Sequence, residues 1–369
     1  MGRDPQLLWE MSGHAGIHPA VPRRVLIAYT SRPPTIEYLT AAFARRGIEA
    51  RGFHADDNTW FDRLMIRRVN KLAHNLRVIP KSRVFFENHP WAHLNYRSRR
   101  LRDEIAAYDP DLVLLIRGLG FRRWATDGAR TKLGWWVEAD ERVDEALGEV
   151  PWFDGYFLIN SSSVEAARQA GLQHVHYLPH AADPSVFRPL PEVRRDIDFS
   201  FVGLWSKKRQ EYIEAALEVS ENGAVYGPKW YAKTFMDARL RRIVKGRYID
   251  GEPLVRLYNR TKVVINVTNW GSGTGRSGMT MRLFEVPASG SFLLTDHSVE
   301  ITQVIQPGVH LETFRDLGEF REKLRRYLQG DEERERIAAR GRSHVAAHCT
   351  YDRTVERICQ AYADVRLKA

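Results

Sequence analysis

Short apolar runs alternate along this chain with amphipathic stretches and turn residues. Residues 25–29 form a strand-length apolar run, and Ile36, Leu39, Ala42 and Phe43 then recur at helical spacing until Gly47 stops them. Residues 48–53 supply a second strand, so the chain opens on a strand–helix–strand unit. The stretch 57–93 carries less periodicity. It is basic and aromatic, with Arg67, Arg68 and Lys71 on a predicted helix, and a second basic run over 97–102 leads into a helix ending near Tyr108. Asp109, Pro110 and Asp111 turn the chain into a strand at 112–116, and 133–137, 156–159 and 175–178 read as further strands. Ser161 to Ser163 cap a helix that Gly171 ends.

Pro184, Pro189 and Pro191 mark an aperiodic stretch, after which the alternation restarts. Strands are expected at 199–202, 224–226, 263–267 and 292–295, and helices at 209–219, 254–259 and near 284–289. Three helical segments close the chain. Strands alternating with helices predict an α/β protein built on parallel sheets, in two halves of similar size. The divisions expected are an irregular leader at 1–22, a first half at 23–178, a linker at 179–195, a second half at 196–348 and a terminal helix at 349–369.

Composition narrows the class. The 369 residues are 43% hydrophobic and 28% charged, enough apolar content to exclude an intrinsically disordered chain and to fill two cores. Fifty-six basic against 46 acidic residues leave a formal charge of +10, which favours anionic partners. Cys349 and Cys359, ten residues apart in a helix-like stretch, would stand about 15 Å apart, too far for a disulfide. They read as structural thiols in a reducing compartment. The run at 112–116 is far short of a membrane span, and residues 1–22 lack the continuous apolar core of a signal peptide. The expectation is a cytoplasmic protein, with peripheral contact at the inner face of a membrane open to its basic first half.

Several groups can carry chemistry. Gly273-x-Gly275-x-x-Gly278, with Asp296 eighteen residues beyond Gly278, has the form of a dinucleotide fingerprint. The fit fails in detail, because Thr268, Asn269, Trp270 and two further residues separate the first glycine from the strand. A nicotinamide-dependent oxidoreductase is therefore the weaker alternative, and a glycine loop lying near a phosphate or sugar fits better. Asp196-x-Asp198 has the form of a metal-binding pair but precedes its strand, and reads as an acidic turn. His174 with His176, and His344 with His348, read as structural, and no metal site is expected. His180, at the junction of the halves, is a candidate to bind an anion or move a proton, and Glu138 after the strand at 133–137 is a second candidate base. Gly203 turns off a strand end ahead of Lys208 and Arg209 at a helix start, an arrangement suited to a diphosphate. Arg282-x-x-Glu285 would offer an exposed carboxylate for ribose hydroxyls.

Taken together, 179–187 (Pro-His-Ala-Ala-Asp-Pro-Ser-Val-Phe), 198–203 (Asp-Phe-Ser-Phe-Val-Gly), 226–230 (Tyr-Gly-Pro-Lys-Trp) and 282–290 (Arg-Leu-Phe-Glu-Val-Pro-Ala-Ser-Gly) resemble the group-one glycosyltransferases. The strand at 292–295 and a terminal helix entered through Thr350 and Tyr351 complete the pattern, which is similar to the CgeB-like spore-maturation branch. The likeness is strong over 175–360 and architectural over 23–174. It implies a GT-B fold, two Rossmann-like domains facing across a cleft, working without a bound metal or other cofactor. The nucleotide diphosphate-sugar donor would bind the second domain as a substrate, and the final helix would cross back to the first. Glu285 would hold the ribose, Arg209 and Lys208 the diphosphate, and Gly273 and Gly275 would lie near the donor sugar. Gly290 would permit close packing behind. Retention of anomeric configuration is also implied, the leaving phosphate taking the acceptor's proton. Ser277 departs from the pattern, standing where many relatives carry a glutamate eight positions before Glu285. The acceptor (a glycan, a lipid-linked sugar or a small molecule) is open, and nucleic acid is not expected as a partner. A non-catalytic nucleotide-binding or assembly protein of the same fold is the alternative that Ser277 supports.

Overall fold

A computed structural model describes residues 21–29, 34–54, 60–80, 83–138, 142–269 and 279–368. Within them, two six-stranded parallel sheets follow one another along the chain. The first contains β1 (Arg24–Tyr29), β2 (Glu49–His54), β3 (Leu112–Ile116), β4 (Lys132–Trp136), β5 (Gly155–Leu158) and β6 (Val175–Tyr177), in the order β2-β1-β3-β4-β5-β6. The second contains β7 (Ile197–Val202), β8 (Gly223–Tyr226), β9 (Val244–Gly246), β10 (Thr261–Asn266), β11 (Phe292–Asp296) and β12 (Glu312–Phe314), in the order β12-β11-β10-β7-β8-β9. Each sheet reverses its winding once, between β1 and β3 and between β7 and β10. Ligands of such sheets bind at these switch points, beyond the carboxyl ends of the strands.

Connecting helices cover both faces. In the first half they are α1 (Pro34–Arg45), α2 (Arg67–Asn75), α3 (His93–Tyr108), α4 (Val143–Glu149) and α5 (Ser161–Gln169). The second half holds α6 (Lys207–Leu217), α7 (Trp230–Thr234), α8 (Ala238–Ile243), α9 (Gly251–Arg260), α10 (Arg282–Ala288) and α11 (Val299–Thr302). It continues with α12 (Leu317–Gln329), α13 (Asp331–His348) and α14 (Tyr351–Lys368). Strand side chains alternate between the two faces, as their period of two requires. Val25, Ile27, Leu112 and Leu114 join Phe43 and Leu39 of α1 and Val355 of α14 in one core. Leu26, Ala28, Val113 and Leu115 face Leu101 and Ile105 of α3 in another. The first of these cores runs on through Ala181, Ala182 and Phe187 to Tyr258, Leu283 and Phe284, so the two halves share buried surface.

Four local expectations change. The linker is packed rather than loose: His180, Ala181, Ala182 and Asp183 are buried, and Ala182 exchanges backbone hydrogen bonds with Cys349 and Tyr351 at the start of α14. Arg45 of α1 clamps this strap, donating to Asp183 at 3.2 Å and to Asp352 at 2.8 and 3.0 Å. Ser161 to Ser163 lie inside α5 and do not cap it; the N-cap residue Asn160 makes no side-chain capping bond. The cap comes from the other half, where the buried Glu300 carboxylate accepts from the backbone of Ser161 and Ser162 (both 2.9 Å) and the Ser161 hydroxyl (3.1 Å). Cys349 falls at the break before α14 and Cys359 within it, so they do not share one helix; both are free thiols. The three-residue strands β9 and β12 are too short to show a period, and the sequence reading passes over them. Among the described residues, no helix is long and apolar enough to cross a membrane.

Candidate active site

The switch point of the second sheet brings together the turn after β7 and the segment after β10. Gly203 ends β7 with its carbonyl held by the Trp230 indole N–H at 2.8 Å. A side chain on Gly227 would run into that same carbonyl at 1.8 Å, so the neighbouring turn can pass only without a Cβ. Ser206 then caps α6, accepting from the Arg209 amide at 3.3 Å while its hydroxyl donates to Asn269 Oδ1 at 2.6 Å. This second bond ties the helix start to the residue from which the glycine loop departs. Gly273, Gly275 and Ser277 belong to that loop, 270–278, and lie outside the described residues.

Of the three cations that follow the cap, the fold treats Lys208 and Arg209 differently. Lys208 donates to Asp296 Oδ2 at 3.2 Å and to the Thr268 carbonyl at 3.0 Å. Asp296, at the end of β11, also accepts from the Thr268 amide (3.0 Å) and hydroxyl (2.6 Å), which pins β10 and β11 at their carboxyl ends. Arg209 instead donates to two backbone carbonyls, Val267 at 2.7 Å and Leu204 at 2.8 Å, and lies over the Phe201 ring. Carbonyls orient a guanidinium without cancelling its charge. Burial, then repulsion from Arg282, hold Arg209 at about 10, below its ordinary value, with Asp296 opposing. It stays fully charged at neutral pH.

Glu285 corrects the sequence reading, which put an exposed carboxylate here. It is only 7% exposed, because the inner side of α10 packs Leu283, Phe284 and Val286 into the shared core. Burial raises its pKa from 4.5 to about 7, against the pull of Arg282 and of a hydrogen bond from the Tyr258 hydroxyl. Burial raises the Tyr38 and Tyr351 phenols, and the Glu285 carboxylate adds to it, so residues of α1 and α14 feel its charge. Arg282, one turn earlier, keeps its Nε buried without a hydrogen-bond partner among the described residues. Lys208, Arg209, Arg282 and Glu285 therefore meet at one edge, where fixed positive charge outweighs Asp296 and a carboxylate near half-ionisation. Behind them Gly290, in the left-handed region at φ 68°, lies with its Cβ position 3.2 Å from Pro189.

The switch point of the first sheet is built differently. Arg117 takes a left-handed conformation (φ 52°) directly after β3 and pairs with Glu138 at 2.9 Å; Arg142 reaches the same carboxylate at 3.8 Å and also pairs with Glu145. Glu138, a candidate base, is thus committed to two guanidiniums. Below it lies a carboxylate that sequence reasoning missed. Glu149 is 1% exposed, accepting from the Tyr156 hydroxyl at 2.7 Å and the Gly118 amide at 3.2 Å, and burial lifts its pKa to about 7. Its spacing from Ala146 and Val150 on the buried side of α4 was the available signal. His180, the other candidate, is 8% exposed and packs near Trp135; burial drops it to about 4, and Nδ1 has no partner among the described residues. Asp196 pairs with Arg260 and Asp198 with Lys262 at the amino ends of their strands, remote from either switch point.

Known proteins agree with this architecture. Residues 194–360 match the family described as glycosyl transferase-like. The chain is similar to the spore protein CgeB of Bacillus subtilis, 21% identical over 264 residues that span 68% of this chain and 82% of that one. Among solved structures it is similar to a sucrose-phosphate synthase of Thermosynechococcus elongatus (13% identity, 94% of this chain, 100% of that one, TM-score 0.65). It is also similar to HepE of Anabaena in complex with UDP and glucose (11% identity, 94% of this chain, 100% of that one, TM-score 0.60). The two facing sheets are the GT-B fold, as the sequence resemblance implied.

Proposed function

We propose that this chain, whose residues 194–360 belong to the glycosyl transferase-like family, moves a sugar from a nucleoside diphosphate donor bound at the second switch point. The observation that carries this reading is Arg209, a buried guanidinium held by backbone carbonyls alone and lowered first by that burial and then by the neighbouring Arg282. A diphosphate is the ligand such a site would bind most strongly. Glu285 at the start of α10 would accept from the ribose hydroxyls, which hydrogen-bond the ionised form and would pull its pKa back down on binding. Because HepE is known with UDP, uridine is the base to try first.

The reaction would then proceed as follows. The bond from the anomeric carbon to the β-phosphate oxygen breaks, its electron pair leaving with the diphosphate while positive charge spreads to the ring oxygen. The acceptor oxygen bonds the anomeric carbon on the same face, and its proton passes to the departing phosphate. Arg209 and Arg282 would stabilise charge that grows as the bond breaks, without a metal; each such fixed donor contributes about 3–4 kcal/mol in comparable sites. Lys208 would act through Asp296, holding the β10 and β11 ends in place. On this scheme neither His180 nor Glu138 has to serve as a base.

A thermal-shift panel of nucleoside diphosphates, their sugar conjugates and NAD(H) tests the reading on wild type and Glu285→Ala. Ligand at about 100 times its Kd adds about 2.7 kcal/mol, a rise of several degrees. One nucleoside diphosphate should raise the melting temperature of wild type and leave the variant unmoved. A response to NAD(H) alone would overturn the proposal.

A further inference from the structure

Between β2 and α3 the first half carries an excursion that the proposed chemistry does not use. Among the described residues, ten of the nineteen exposed large hydrophobic side chains lie between positions 60 and 91. They are displayed by a built structure. Ile66, Asn70 and Ala73, at helical spacing, face inward. The buried Asn70 amide donates to the Ile66 carbonyl at 2.7 Å and the Phe85 carbonyl at 3.1 Å, and accepts from the Phe85 amide at 2.6 Å. That pinned loop holds Phe85 and Phe86 outward, 42% and 51% exposed, with Phe86 in the left-handed region at φ 63°, a costly conformation for an aromatic residue. On the opposite side of α2, Leu72 and Leu76 continue a stripe that Arg68 begins, each four residues apart and exposed.

Among the described residues, the charge displayed beside these apolar side chains is basic. Arg63, Arg68, Lys71, Arg77 and Arg83 are exposed, whereas the acidic residues are engaged: Asp62 is buried on Arg67 and the His93 amide, and Glu87 pairs with Arg122. Trp60 and Trp91, ring centroids 6.1 Å apart and about half exposed, stand together at the start and end of the excursion. Apolar side chains beside arginines and lysines, with indoles among them, suit the boundary between acyl chains and anionic headgroups. A second copy of the chain would bring like charge against like, and a nucleic acid would leave the leucines and phenylalanines uncovered.

We propose that this excursion, with Leu72 and Leu76 on one side of α2, Phe85 and Phe86 on the other and the basic residues beside them, inserts into the headgroup region of an anionic lipid bilayer. The excursion leaves the carboxyl end of β2 and is fastened to the loop after β3 by Arg122, which donates to Asn95 at 3.0 Å and bonds Glu87 at 3.1 Å. Docking therefore sets the crevice of the first half against the membrane. It does not depend on the sugar-transfer reading.

Co-sedimentation of the full chain with phosphatidylcholine vesicles, with and without an equal part of phosphatidylglycerol, tests this. Binding to the anionic vesicles is expected, weakened at least about tenfold near 1 M salt, where charge is screened within about 3 Å. Arg63→Glu/Arg68→Glu/Lys71→Glu and, separately, Leu72→Ser/Leu76→Ser/Phe85→Ser should each weaken it about tenfold or more. Phe235→Ser/Met236→Ser, on the exposed surface of the other half, should change nothing. Brominated acyl chains should quench tryptophan emission in wild type and less in Trp60→Phe/Trp91→Phe, a readout that needs no loss of binding. No binding to either vesicle, equal binding to neutral vesicles, or equal loss in the Phe235 control would overturn the proposal. So would a dimer in light scattering that the Leu72 variant dissolves, or nucleic-acid binding without vesicle binding.

Discussion

The two sheets end in crevices that treat their charged side chains differently. At the first, Arg117 and Arg142 find carboxylates in Glu138 and Glu145, and the charges close on themselves. At the second, Arg209 rests on the carbonyls of Val267 and Leu204, and Arg282 adds to its field. Among the described residues, nearly the same strand topology thus yields one neutralised edge and one with positive charge held in reserve. Each edge also buries a carboxylate raised to about 7, Glu149 in the first and Glu285 in the second, but their neighbours differ. Glu149 is held by a tyrosine and a backbone amide inside one half. Glu285 sits where α9, α10, α1 and α14 converge, under guanidinium charge.

The largest test exchanges an arginine at each edge. Arg209→Ala should abolish the nucleotide-induced thermal shift and lower transfer about 10²- to 10³-fold, the usual loss for a fixed donor to developing charge. Arg142→Ala, which removes a self-contained surface pair, should change turnover less than about threefold and stability by less than about 1 kcal/mol. Steady-state transfer and melting curves on both variants decide it. Equal losses would mean the two edges are not distinguished by their free charge.

The next test uses the two carboxylates. A carboxyl raised from about 4.5 to about 7 by folding stabilises the protein while protonated, so its contribution is whole below about pH 4.5 and is lost as pH rises through 7. Glu149→Gln and Glu285→Gln should each flatten the fall in stability between pH 5 and 8, by about 3 kcal/mol at most. Denaturant titrations across that range measure it. Nucleoside diphosphate should separate the two. Ribose hydroxyls favour ionised Glu285, so affinity should tighten toward pH 8 in wild type and in Glu149→Gln, and should lose that trend in Glu285→Gln. A pH trend unchanged by Glu285→Gln would remove the ribose from the reading.

The same contrast governs what could be seen in the sequence. The second half announces itself because its site is local: Gly203, Ser206, Lys208 and Arg209 lie on one turn, and Arg282 and Glu285 on another. Strand runs such as 112–116 were legible because parallel strands buried on both faces are continuously apolar. What stayed hidden depends on tertiary partners. Glu149 is an ordinary helical glutamate until Gly118 and Tyr156 close over it. Glu285 reads as an exposed helix-start acid until Tyr258 and the shared core bury it. His180 and Glu138 were singled out by their place in the chain, but what surrounds them, the Trp135 ring and the Arg117 and Arg142 guanidiniums, lies far away in sequence or on another turn. The serines of α5 had capping chemistry and no capping role, because a carboxylate 139 residues away took it.

That carboxylate gives the smallest test, and the one that asks whether the halves act as separate units. Glu300 of the second half accepts three hydrogen bonds at the amino end of α5 in the first, where a negative charge also meets the positive end of the helix dipole. Glu300→Ala should cost about 1–2 kcal/mol, the range for loss of a helix cap with buried donors left unpaired. Glu300→Gln keeps an acceptor but gives up the charge, and should cost about half as much. Neither should move nucleotide affinity more than about twofold, because Arg209 and Glu285 stay in place. Calorimetry reads the first effect and nucleotide titration the second. A large change in affinity with Glu300→Gln would show that the neutral crevice and the charged one are coupled through this contact, and that the contrast between them is set by the whole molecule rather than by each sheet alone.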